Sequence, residues 1–360
     1  MTESTPDNRG QWEAIKLFDM REGFSPIRNV LGAGDPDVHK IDDRWTMFLG
    51  GFTNRFKVNL FAATLPPGSP LSSTEWSLAT SDADPTVALP LVGQPPRGSW
   101  DHHGLHTPSY VRGEDPEQGP RERIYYSGRS SRQSTGPKSR YSIGCVEKTP
   151  AGWARHDAPV LTGTPERPSV FEPLVRYYDQ KWRMWYVSAV HEVGRGELPN
   201  YQFEYVESVD GLTGWSTPKV LFSVEEGIFD NAVTQVDSGY EMVVARGHDL
   251  YDTPGFPAQG MWWLAAERPS GDRRDWTREP ARILDASNAP LPWYVNGAFG
   301  PSVNYGDTEA DRDVMYVFFT GVHAKTNWAR LAAGRLLTLR KPPVPAPFYF
   351  AVGRMECRRG

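Results

Sequence analysis

The chain of 360 residues contains two cysteines and eight histidines, and no stretch of 18 consecutive apolar residues. Two thiols, Cys145 and Cys357, exclude a disulfide framework and a thiolate metal site, and no bridge between them is expected in a reducing compartment. The missing apolar run excludes a membrane-spanning helix. The first 24 residues, MTESTPDNRGQWEAIKLFDMREGF, lack the basic start and apolar core of a signal peptide, so the expectation is a cytoplasmic chain without a membrane partner. An excess of positive charge is also lacking. Thirty-nine Lys and Arg against 44 Asp and Glu give a net charge of −5, and the basic residues are scattered, which leaves no footprint for nucleic acid. Long helical periodicity is scarce as well.

What the chain has instead is turn formers and aromatics. There are 34 Gly and 32 Pro, each about 9% of the chain and above the usual roughly 7% and 5%. With 13 Trp, 15 Tyr and 16 Phe there is ample material for a core. Apolar residues come in runs of four to seven bounded by Gly, Pro, Asp and Ser, the signature of short strands. Length alone would allow two domains, but all-β folds often exceed 200 residues as one unit.

A repeat runs through these strands. Each copy opens on a small or acidic residue, usually followed by Pro, with a hydrophobic residue two further on: Asp35-Pro-Asp-Val, Thr107-Pro-Ser-Tyr, Glu172-Pro-Leu-Val, Asp230-Asn-Ala-Val and Gly300-Pro-Ser-Val. The intervals are 72, 65, 58 and 70 residues. A strongly apolar second strand follows in every copy: WTMFLGG, RIYYSGR, WRMWYVSA, YEMVVARG and VMYVFFTG. Third strands are predicted at 60 to 66, 141 to 150, 203 to 210, 262 to 270 and 331 to 337. A fourth element carries Trp76, Trp153, Trp215 or Trp276, which are structural by their periodicity. The fifth copy lacks this element, and Trp12 precedes Asp35 at the spacing that would supply it. The expected fold is therefore all-β, a single five-bladed β-propeller over residues 11 to 337, closed by an N-terminal outer strand. Residues 338 to 360 are expected as a C-terminal extension packed on it.

In such a blade the first strand lies innermost and the second runs back antiparallel. That places Asp35, Thr107, Glu172, Asp230 and Gly300 around one mouth. Outside them come the second-strand exits: Phe52, Arg129, His191, Arg246 with His248, and His323. Carboxylates from different blades converging on one pocket suit acid/base chemistry, because one can stay protonated while another is ionised. In glycoside cleavage the acid protonates the leaving oxygen while the other carboxylate activates water or attacks the anomeric carbon. Thr107 and Gly300 show that the blade entry does not itself require an acid, which singles out Asp35 and Glu172.

The segments GAGDPDVHKIDDRWTMFLGG and SVFEPLVRYYDQKWRMWYVSA resemble those of the five-bladed glycosidases of glycoside hydrolase family 43. The resemblance implies that Asp35 is the general base and Glu172 the general acid. It also implies a third acid at the second-blade entry, in a Trp-Ala-Pro-Asp pattern that tunes the acid. Here that segment reads His106-Thr107-Pro108-Ser109, with serine in place of the expected aspartate. Asp101 and Asp230 are the candidates to stand in.

The residues expected to bind substrate are Asp101, His103, His106, Arg129, His191, Arg246, His248 and His323. Trp100, Trp262, Trp293 and Tyr294 are expected near the mouth as stacking surfaces. The loop 248 to 260 could cover the pocket, and 130 to 140 reads as a solvated hairpin tip. The expected partner is a small-molecule or carbohydrate substrate, cleaved by a glycosidase-like hydrolase. Three alternatives stay open. The His-His-x-x-His group at 102 to 106 could hold a divalent metal for a lyase, cyclase or hydrolase of small-molecule metabolism, and calcium on the axis would need only carboxylate and solvent ligands. An intracellular mannoside phosphorylase would use Arg129 and Arg246 for phosphate. A carbohydrate-binding module would bind sugar without turnover.

Overall fold

The computed structural model describes residues 14–19, 27–132, 139–191, 197–198, 200–246, 259–286, 291–323 and 350–358, with isolated positions between 329 and 337. The chain is all-β, built from five antiparallel four-stranded units in sequence order. Their first strands are Val30–Ile41, Gly104–Asp115, Ser169–Tyr178, Ile228–Val236 and Ala298–Tyr305. Each pairs with a second strand, Arg44–Thr53, Gly119–Arg129, Lys181–Ala189, Gly239–Arg246 and Val314–Val322 respectively. The first two units are joined edge to edge by one parallel pair, Val58 with Gly104. Among the described residues no sheet closes on itself. Each first strand packs against the next in sequence order, and Ala298–Tyr305 packs against Val30–Ile41.

The fifth unit differs from the sequence expectation in one strand. Its third strand is Phe350–Arg358, paired with Val314–Val322 over the whole length, and its outer strand is Ala14–Asp19. The segment 331 to 337 does not fill that place, since its described positions 333, 336 and 337 are helical and exposed. Residues 350 to 358 therefore belong to the fifth unit and are not an appended tail. AVGRMEC alternates poorly in polarity because the strand is buried on both faces. Trp12 lies outside the described residues. In units three and four the outer strands are Lys219–Phe222 and Ala281–Asp285, beginning after the Trp.

Tight turns fix the registers of the hairpins between first and second strands. Asp42-Asp43 and Asp179-Gln180 both take left-handed φ at two successive residues, 47° and 63° in the first and 51° and 58° in the second. This is the geometry that matches the twist of two-residue hairpins.

The core lies mainly between neighbouring units. One cluster joins Met47, Leu49 and Phe61 to Tyr316 and Phe318, linking units one and five; another joins Tyr125 and Cys145 to Trp182 and Met184, linking units two and three. The repeated Trp explains part of this. Trp76 meets Phe318 edge-on at 5.8 Å, Trp153 meets Phe48 at 6.2 Å, and Trp215 meets Tyr125 at 6.4 Å. Each Trp thus packs on the second strand of the preceding unit. Cys145 and Cys357 are buried and form no disulfide. No described helix is long and apolar enough to cross a membrane.

Candidate active site

The repeat openings lie inside their strands, and four of the five interrupt the pairing. Pairing slips between Gly34 and Asp37, His106 and Ser109, Phe171 and Leu174, and Phe299 and Ser302. In these four units the residue pair omitted from the ladder is Asp35-Pro36, Thr107-Pro108, Glu172-Pro173 or Gly300-Pro301. Proline has no amide hydrogen to give the ladder, and the residue before it is left-handed: φ is 55° at Asp35, 49° at Thr107, 53° at Glu172 and 61° at Gly300. Non-glycine residues rarely hold this conformation, and it costs of order 1–2 kcal/mol. A bulge of this kind re-aims one side chain out of the sheet. Unit four has no proline and slips only between Ile228 and Asp230.

The bulges open into one small pocket of about 30 Å³. Asp35, Thr107, Glu172, Asp230 and Gly300 all line it, with their following residues and with Asp37 and Leu174. Its lining holds carboxylates from units one, three and four and no basic side chain. Hydroxyls of the neighbouring units hold two of the openings: the Asp35 amide donates to Thr320 Oγ1 at 2.6 Å, and the Glu172 amide to Ser127 Oγ at 2.8 Å. Ser127 Oγ also lies 2.6 Å from Thr107 Oγ1.

Asp35 and Asp230 are linked through Gly300. The Gly300 amide donates to Asp230, while a Cβ at Gly300 would stand 3.2 Å from Asp35 Oδ1. Asp35 Oδ1, Asp230 Oδ2 and both amide atoms of the Asn231 side chain are buried without a hydrogen-bond partner. Burial pushes the Asp35 carboxyl up to about 7, against smaller opposing effects of the Thr107 amide and Thr320. Burial, and then the Asp35 charge, pushes Asp230 well above the ordinary carboxylate range. Both carboxyls are thus shifted toward the protonated form, because two ionised carboxylates brought together away from water repel each other.

Asp37 is held differently. Burial alone would raise it, but His39 at 2.8 Å, Arg176 at 3.5 Å and the Tyr110 amide at 2.5 Å keep its carboxyl below the ordinary value. The contact with Tyr110 belongs to a series. The residue two beyond the opening of one unit accepts the amide three beyond the opening of the next: Ser302 from Val38 at 2.9 Å, Asp37 from Tyr110, and Ser109 from Val175 at 2.8 Å. Ser109, at the position of the expected third acid, is thus occupied in the seam between units two and three.

Several expected substrate-binding residues are engaged elsewhere. Asp101 is fully buried, accepts from Ser99 at 2.9 Å, Tyr126 at 2.7 Å and Arg155 at 3.2 Å, and does not line the pocket. His323 is buried 3.2 Å from Asp19, and His191 lies 3.7 Å from Glu197. Arg246 stacks on Trp262 at 4.7 Å. His106 accepts from Arg129 Nε at 3.1 Å, and burial followed by the Arg129 charge pushes it well below the ordinary value for histidine. His103 is half-buried beside His102. His248 and most of the loop 248 to 260 lie outside the described residues, as do 133 to 138. Trp100 stacks on Tyr126, Trp293 on Phe319, and Tyr294 packs on both Trp293 and Phe319. These rings serve packing, and none lines the pocket. Among the described residues no three His, Cys, Asp or Glu side chains gather closely enough to hold a metal ion.

Sequence reasoning missed the role of Thr320, Ser127 and Asn231. The small polar residue near the end of the second strands in units two and five, YSGR and FFTG, was the available signal.

No family model matches the chain, and no curated protein matches it. Solved structures do. A thermostable family-43 glycoside hydrolase superposes with a TM-score of 0.54 at 15% identity, covering 91% of this chain and 94% of its own. The catalytic domain of a GH62 α-L-arabinofuranosidase from Coprinopsis cinerea gives 0.56 at 12% identity, with 96% of each chain covered. The GH43_1 enzyme from Xanthomonas citri complexed with xylotriose gives 0.53 at 9% identity, covering 95% and 89%. The chain has the fold of the family-43 glycoside hydrolases. At this identity the likeness is one of fold alone.

Proposed function

We propose that the five units form one five-bladed propeller and that the pocket at their openings cleaves a small glycoside or oligosaccharide, with Asp35 as general base and Glu172 as general acid. The cyclic packing of the first strands supports the architecture. The carrying observation for the chemistry is that Asp35, Glu172 and Asp230, from three units, open into one pocket where Asp35 is poised near neutrality. A base whose pKa lies near the working pH combines availability with driving force. Asp230 supplies the third acid from unit four, and its partner is Asp35. The proteins of like fold are named as glycoside hydrolases, and one is complexed with xylotriose, which favours a sugar substrate.

The test is turnover of a panel of aryl glycosides by wild type, Asp35→Asn and Glu172→Gln. Hydrolysis by wild type with losses of a hundredfold or more in both variants is expected. No turnover of any glycoside by wild type sinks the reading. One observation favours a second reading, a tailoring enzyme of small-molecule metabolism on the same pocket: the seam position of Ser109 leaves the second-unit acid of the family pattern without a counterpart. That reading gains if a non-glycosidic substrate is turned over with the same dependence on Asp35.

A further inference from the structure

Beside the acidic pocket lies a rim of opposite charge. Thr107 lines the pocket, and its neighbour His106 accepts from Arg129. The His103 amide donates to the Arg129 carbonyl at 2.9 Å, and the His103 ring meets His102 at 4.8 Å between centroids. His102 Nδ1 lies 3.2 Å from the Pro95 carbonyl, to which it can donate, leaving Nε2 to accept from Lys57 Nζ at 3.2 Å. Lys57 Nζ also donates to the His102 carbonyl at 3.1 Å. The chain of contacts thus runs unbroken from the pocket wall to the Lys57 ammonium.

The rim gathers Lys57 and Arg129 around His102, His103 and His106. Among the described lysines, Lys16, Lys40 and Lys181 each meet a carboxylate, whereas Lys57, Lys148 and Lys219 do not. Lys57 instead meets an imidazole and a carbonyl, and among the described residues no ion pair involves Lys57 or the exposed Arg132. Burial, then the charges of His102, Lys57, Arg129 and Arg132, depress His103. Phe56, at the hairpin tip beside Lys57, is 61% exposed and left-handed at φ 60°. An apolar ring held out in a strained conformation next to uncompensated cations adds a contact face for a bound molecule.

We propose that this rim is an anion subsite, which holds a carboxylate or phosphate-ester group on the part of the substrate lying outside the acidic pocket. The pocket itself is lined by carboxyl side chains and no basic one, so it offers an anion no counter-charge, and the two regions together fix which end of the substrate enters. The placement rests on the pocket being the reaction site, as proposed above.

The test needs no turnover. The imidazole resonances of His102 and His103 are followed by NMR in the Glu172→Gln protein during titration with inorganic phosphate and, separately, acetate, with chloride as control at matched ionic strength. Saturable shifts with phosphate alone assign a phosphate ester, and with acetate alone a carboxylate; chloride gives none. Lys57→Gln and, as an exposed second variant, Arg132→Gln each weaken the binding by fivefold or more. Absence of saturation with both anions, equal shifts with chloride, or unchanged affinity in both variants overturns the proposal. Failure of glycoside turnover would leave this binding readout intact, so the two readings fail separately.

Discussion

The Glu172 amide donates to the Ser127 hydroxyl at 2.8 Å, and the Asp35 amide makes the corresponding contact with Thr320 at 2.6 Å. In both cases the opening of one unit is held by the second strand of the unit before it. The proposed acid and base are thus positioned by tertiary contacts that their own sheets do not supply.

Removing the hydroxyl should loosen the bulge without touching the carboxylate. For Ser127→Ala a loss of about 1–2 kcal/mol is expected, because the bulge amide and the Thr107 hydroxyl lose their partner. Turnover number should fall more than KM rises. Urea unfolding and steady-state kinetics check the two parts; a variant as stable and active as wild type would contradict the positioning role.

Asp35→Gly should stabilise the fold while abolishing turnover. Glycine takes the left-handed φ of 55° without a Cβ penalty, and a buried carboxylate is removed. A gain of roughly 1 kcal/mol is expected, whereas Asp35→Asn keeps the backbone strain. In the opposite direction, Gly300→Ala introduces a Cβ 3.2 Å from both Asp35 Cα and Oδ1 and should lower the thermal midpoint.

Stability should depend on pH through the Asp35 and Asp230 pair. Both folded-state values lie above the ordinary 3.8, Asp35 at about 7. Across that window the folded chain retains protons that the unfolded chain has released, so stability falls as pH rises. The depressed histidines His103 and His106 act with the opposite sign, the fold gaining as pH rises through 6.5. The informative quantity is therefore the difference between proteins. From about pH 5 to about pH 8, wild type should lose more of its thermal midpoint than Asp230→Asn does; parallel profiles would show that the two carboxyls do not hold a proton together.

Asp101→Ala should cost about 3–5 kcal/mol, since Arg155 and Tyr126 lose a fully buried partner. The folded fraction should keep its turnover number and KM. A raised KM with normal stability would return Asp101 to the substrate site.

The repeat made much of the architecture legible. Aromatic second strands and recurring Trp residues report a packing problem that recurs from unit to unit, and Trp76 on Phe318 or Trp215 on Tyr125 shows the solution. The third strand of unit five was not legible, because Phe350–Arg358 comes from a segment far along the chain and strand pairing at that separation leaves no local mark. The openings were legible as positions but misread as strand starts. Proline inside an apolar run marks a bulge as readily as a beginning.

The histidines show where pattern reading fails. Six of them fall near predicted strand ends or loops, but direction is set by side-chain partners that the spacing does not reveal, each within the histidine's own unit: His323 turns to Asp19, His191 to Glu197, and His106 to Arg129. Likewise Ser109 could be recognised as a departure, yet its occupation by the Val175 amide required the neighbouring unit.

By itself the sequence, poor in cysteine and long apolar runs but rich in Gly, Pro and Trp, determined that the chain is all-β, that it repeats five times, and that Asp35, Glu172 and Asp230 occupy equivalent places in three repeats. Those properties are local, fixed by side-chain alternation and turn chemistry within each unit. Only the tertiary structure decided that these carboxylates share one pocket, that burial there shifts Asp35 and Asp230 toward the protonated form, and that Asp101 lies outside its lining. A carboxylate's ionisation depends on the water excluded and the charges brought near by distant segments, and neither quantity is written in its sequence neighbours.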